Sequence, residues 1–156
     1  MKSATPADLR RLQARSLGFV LIRCGQLFND RGLAQVNTEV GRPMLREAHT
    51  RLIPHLQTPD GIRVTTLAQK LRVTKQAVQQ LVADMVELGV VRIAPDPDDA
   101  RARRVVLTAL GLAAMMDGTN KLLDIERTVA ARLGKRETKQ LHELLSDLLV
   151  VLEEPA

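Results

Sequence analysis

Residues 65–108, TTLAQKLRVTKQAVQQLVADMVELGVVRIAPDPDDARARRVVLT, change local pattern three times in quick succession. The first piece, 65–71, sets Leu67, Ala68 and Leu71 on the inner side of a short helix. Residues 72–73 join it to a longer helix from Thr74 to about Leu88. There Val78, Leu81, Val82 and Met85 fall at i, i+3, i+4 and i+7, and Gly89 serves as the C-terminal cap. Two β-branched runs follow, VVRIA at 90–94 and RVVLT at 104–108. They flank a loop of prolines 95 and 97 and aspartates 96, 98 and 99, which predicts a β-hairpin.

Short helix, short turn, longer helix, hairpin is the order of a winged helix-turn-helix. The longer helix divides cleanly. Opposite its apolar stripe stand Thr74, Lys75, Gln76, Gln79 and Gln80, with no carboxylate before Asp84. Glutamine can pair with adenine through two hydrogen bonds, and lysine can address guanine acceptors or a phosphate. The helix N-terminus adds amide donors and a positive dipole end. An ordinary solvated face carries the same residue types, since glutamine and lysine are good helix formers. The hairpin directly behind this helix favours the DNA-facing reading.

In that hairpin the prolines stiffen the ascending arm, and three arginines lie at and beyond the tip. Arg101 is the expected minor-groove residue, with Arg103 and Arg104 expected on flanking phosphates. Bare carboxylates repel DNA. One of the aspartates, Asp99 foremost, is therefore expected to hold Arg101 in a fixed rotamer through a bidentate pair.

Outward from this unit the chain reads as helical. Leu17, Val20, Leu21, Cys24, Leu27 and Phe28 lay one apolar stripe along a first helix, while Phe19 and Ile22 lie off it. A helix apolar on two sides needs two surfaces to bury against. A loop holding Asp30, Gly32 and Asn37 is expected next. A second helix then starts near Pro43, with Leu45, Ala48, Leu52 and Leu56 inward and Pro54 kinking or breaking it. TPDG at 58–61 reads as a turn. Thr108 is a good N-cap for a long helix towards Leu133. A last helix, from about Lys135 to Glu153, carries Leu141, Leu144, Leu145, Leu148 and Leu152, and its LLVVL at 148–152 is apolar all round.

Composition bounds the rest. A chain of 156 residues fits one domain and can bury about 70% of its unfolded surface. With 45% hydrophobic and 26% charged residues it reads as soluble and globular. The net charge of +5 suits an anionic partner such as nucleic acid, and equally a well-solvated basic surface. Phe19 and Phe28 are the only aromatics, which disfavours single-strand binding by base stacking. MKSATPADLRR has no apolar block behind it, so no secretory signal is expected, and no stretch approaches the length of a membrane span. The single cysteine, Cys24, excludes an intramolecular disulfide and fits a reducing cytoplasm. Its place on the apolar stripe predicts a small buried hydrophobe. His49, His55 and His142 lack the converging ligands that zinc requires and read as surface or pocket-lining residues, so no metal site is expected. Phosphate loops, paired metal-binding histidines and nucleophile elbows are missing. Catalysis has no visible seat, and no cofactor is expected.

Residues 67–111 resemble the DNA-binding lobe of MarR-type transcriptional regulators. The marks are the Leu-Ala opening of the short helix, the Thr-Lys-Gln start of the next, and the Glu-Leu-Gly-Val-Val exit. The Asp-Ala-Arg wing at 99–101 and the Leu-Thr-Ala-Leu-Gly entry at 107–111 complete them. The resemblance implies a mainly α fold with a small β-hairpin wing, a single domain over 1–156. Residues 8–57 and 109–153 would then form the helical dimerisation region, and 62–108 the winged lobe. It further implies a cytoplasmic homodimer, most often a repressor, reading an imperfect palindrome in double-stranded DNA, with room for a small-molecule effector. The family's effector pocket is often lined by aromatic residues. Their scarcity here disfavours a ring-stacked phenolic effector and leaves an aliphatic pocket open. A peroxide-sensing branch of the family has its cysteine where this chain has Gly18, so Cys24 does not match it. The competing reading is a winged-helix adaptor that binds protein and not DNA.

Overall fold

The computed structural model describes residues 4–38 and 43–154. Among these, the chain opens with α1 (Pro6–Ala14) and α2 (Leu17–Val36). Each starts on a hydroxyl cap. Thr5 forms a capping box with Asp8, and Ser16 accepts from the Phe19 amide at 3.2 Å. The loop expected around Asp30 and Gly32 is absent: α2 runs unbroken to Val36. Gly32 has a packing reason to stand there, because a Cβ would lie 3.1 Å from Leu122 Cδ2 on a later helix. The helix ends at Asn37, whose side chain donates to the Leu45 carbonyl at 2.9 Å and accepts from the Leu45 amide at 3.1 Å.

The helix expected from Pro43 is shorter than predicted. It forms one turn, α3 (Glu47–Thr50), followed by a 3-10 turn, Ile53–His55, that contains Pro54. Proline lacks the amide that would continue the ladder, so the break falls where its chemistry demands. Leu45, Leu52 and Leu56 are buried as expected, whereas Ala48 is exposed. The 58–61 turn closes with Gly61 N–H donating to Thr58 O at 3.0 Å.

Next come β1 (Ile62–Arg63), α4 (Val64–Leu71), α5 (Lys75–Glu87), β2 (Val91–Asp96) and β3 (Asp99–Leu107). The hairpin was legible in the sequence, but its third strand was not. β1 pairs antiparallel with β3, giving the order β1-β3-β2. Leu52, Leu56, Ile62, Leu67, Val78, Val82, Met85, Val90, Val91 and Val105 form the core between this sheet and the helix pair.

Helices α6 (Ala109–Leu133) and α7 (Lys135–Glu153) complete the fold. Thr108 caps α6 as expected, accepting from the Gly111 amide at 2.9 Å while its hydroxyl donates to Gly89 O at 2.6 Å. Gly111 lies so close to the chain that a Cβ would overlap the Val90 carbonyl. These contacts pin the long helix against the turn that ends α5. Neither α1 nor α7 buries any residue, and Leu144, Leu149, Val150, Val151 and Leu152 are all exposed. Cys24, expected inside, is exposed. No described helix is long and apolar enough to cross a membrane.

Candidate nucleic-acid interface

The turn between α4 and α5 is tight. Arg72 takes a left-handed conformation at φ 53°, its amide bonding back to the Ala68 and Gln69 carbonyls, and Val73 N–H reaches Ala68 O at 3.1 Å. This closure ends α4 without a glycine and leaves Arg72 on the surface. Thr74 then caps α5, accepting from the Ala77 amide at 3.2 Å. Its hydroxyl therefore has a structural duty besides any contact with a partner.

One side of α5 carries Val78, Val82 and Met85 into the core. The other exposes Lys75, Gln76, Gln79 and Gln80 on its first turns. The division follows from helical spacing, because burying the first set turns the second to solvent. Gln80 has an intramolecular partner, donating to Asp84 Oδ1 at 3.1 Å. Asp84 is also paired with Arg46 and lies 3.6 Å from His49 Nε2. The Gln80 hydrogen bond, followed by the Arg46 charge, holds the Asp84 carboxyl below the usual range. His49, read from sequence as a surface or pocket-lining residue, is buried, its Nδ1 accepting from the Arg46 amide at 3.2 Å. Arg46 and His49 thus tie the chain before and within α3 to the middle of α5. No spacing rule in the sequence pointed to this contact.

The wing departs from expectation in two places. Asp99 meets Arg101 through the main chain, its Oδ1 accepting from the Arg101 amide at 3.0 Å. That is an Asx-type turn bond, and the guanidinium stays exposed. Arg104, expected on a phosphate, is half-buried and turned to the wing's own acids. Its Nε donates to Asp96 Oδ2 at 2.8 Å, and one terminal nitrogen reaches Asp96 Oδ1 at 3.2 Å and Asp98 Oδ2 at 3.0 Å. Asp96 takes a further bond from Arg63 Nε at 2.6 Å and one from the Asp98 amide at 2.9 Å. Led by Arg63 and then Arg104, these donors hold its carboxyl far below the usual range. Arg103 is exposed. Arg63 and its pairing with Asp96 escaped the sequence reading, because the two lie far apart in the chain and meet only through strand pairing.

No cluster of three or more potential metal ligands occurs among the described residues. A helix-turn-helix, a three-stranded wing sheet and long flanking helices define a winged-helix protein. Residues 47–102 match the sequence model of the MarR family. A transcriptional regulator from Thermotoga maritima superposes with TM-score 0.63 at 22% identity, over 86% of this chain and 92% of that one. CouR from Rhodococcus jostii, bound to p-coumaroyl-CoA, gives 0.65 at 19% identity over 92% and 96%. A mutant of Staphylococcus aureus MepR bound to an oligodeoxyribonucleotide gives 0.56 at 20% identity over 88% and 99%. No curated relative matches by sequence.

Proposed function

We infer that the protein is a homodimeric, sequence-specific regulator of transcription that binds double-stranded DNA in the cytoplasm, as a repressor. The observation that carries this reading is the exposed first face of α5. Lys75, Gln76, Gln79 and Gln80 stand there with no carboxylate among them, on a helix fixed from behind by Val78, Val82 and Met85. In this reading those four residues contact bases, Thr74 sets register, and Arg101 with Arg103 engages the minor groove and flanking phosphates. Dimerisation is supported by α1, α2 and α7, whose apolar side chains lie largely open in the single chain. A MepR mutant of the same fold was solved with an oligodeoxyribonucleotide.

A cavity of about 580 Å³ supports a place for an effector. It lies between the 3-10 turn, the end of the wing and α6, lined by Ile53, Leu56, Leu107, Leu112, Met115 and Met116 among others. Its lining holds no aromatic ring and no charged side chain, so an uncharged aliphatic ligand suits it better than a phenolic one.

Selecting duplexes from a random pool with the intact protein tests the reading. The expected result is a two-fold-related pair of half-sites, bound with an affinity that falls steeply as salt rises. Absent or salt-insensitive duplex binding would overturn it in favour of the adaptor.

A further inference from the structure

Arg63 on β1 and Arg104 on β3 are direct cross-strand partners. Like charges facing each other across a sheet are destabilising, and a wing built this way needs a reason to hold them together. Asp96 supplies it. The carboxylate is fully buried, while Arg63 keeps 39% and Arg104 18% of its side chain exposed. It comes from β2, at the point where the β2–β3 register shifts between Pro95 and Asp96. One carboxylate therefore joins all three strands, with donors on both oxygens. Asp98, on the turn just beyond, gives Arg104 a second acceptor. Two guanidinium charges and two carboxylates cancel, so the cluster adds no net positive charge towards a polyanion.

We propose that Asp96, clamped between Arg63 and Arg104, is a positioning residue that sets the angle of the wing and thereby delivers Arg101 to the duplex. The carboxylate sits at the turn end of the hairpin, where Asp96 pairs with Asp99, and Arg101 follows two residues along β3. Arg63 ties this turn end of the hairpin to β1, so rigidity here decides whether the neighbouring Arg101 arrives in register. Arg104 then acts within the protein, through Asp96, and not on phosphate. The proposal rests on the DNA-binding reading for its consequence, but the clamp itself belongs to the free protein.

The test uses the full chain, the variants Asp96→Asn and Arg101→Ala, their double, and the duplex selected by the wild type. Amide hydrogen exchange on the DNA-free protein is expected to quicken across 97–103 in Asp96→Asn. Unchanged exchange there overturns the clamp, whether or not the protein binds DNA. Affinity supplies a test of sign. Removing a carboxylate from a DNA-facing wing should tighten binding if charge alone matters, whereas the clamp predicts weakening by about tenfold. Finally, Arg101→Ala is expected to cost far less in the Asp96→Asn background than in the wild type. Equal cost in both backgrounds, or tighter binding by Asp96→Asn, refutes the positioning role. Arg63→Gln, at a more exposed site, repeats the exchange and double-variant measurements should Asp96→Asn not fold. Wild-type protein that binds no duplex sinks the regulator reading alone, and exchange still judges the clamp.

Discussion

The winged lobe and the terminal helices treat their apolar residues in opposite ways. In the lobe, Leu67, Val78, Met85 and Val105 are sealed within one chain. Along α1, α2 and α7, Leu12, Leu17, Ile22, Leu144 and Leu152 stand more than half exposed. Hydrophobic side chains gain free energy only when removed from water, and the second set does not gain it within the single chain. The lobe can be understood from a single copy. The helices around it make sense as half of a larger structure. Under the proposed function, the open helices would meet a second copy and set the spacing of two lobes for two half-sites.

The sharpest way to break this contrast is to charge the open face. Leu145→Asp combined with Leu152→Asp, one face of α7, is expected to halve the mass in solution by light scattering. Without the second lobe, operator affinity drops roughly 10²–10⁴-fold. A dimer that survives both substitutions places the interface elsewhere. Next in size is Leu67→Ala, which opens a void in the sealed lobe and lowers unfolding free energy by ~2–5 kcal/mol in denaturant titrations. The same truncation at exposed Leu144 has little effect on stability when measured in a monomeric variant. Smallest is Lys75→Ala, which leaves stability and dimerisation intact but weakens duplex binding by ~1–3 kcal/mol if it contacts a base. Loss spread evenly over all sequences assigns Lys75 to a phosphate instead.

Most elements were legible because their signals are local. Thr74 and Thr108 announce helix starts, Gly89 an end, and the β-branched runs around Pro95 and Pro97 a hairpin. Misreadings came where a tertiary contact outweighed a local preference. Gly32 suggested a loop, yet Leu122 packs onto it and α2 continues. Cys24 lies on a stripe of α2 that the rest of the chain leaves uncovered, so it is exposed. His49 offered no pattern at all and proved buried beside Asp84. At the wing, Asp99 was the expected orienting acid because it stands two residues from Arg101. Asp96 makes the tighter structure because strand pairing brings Arg63 to it.

Read alone, the chain determined the helix-turn-helix, the hairpin, the two faces of α5 and the family resemblance, since caps, turns and side-chain periodicity depend on neighbours a few residues away. Only the folded arrangement decided which arginines bind protein and which face outward. That choice depends on strand register between residues 63, 96 and 104, and ion pairs form by distance in space, which no reading along the chain can measure.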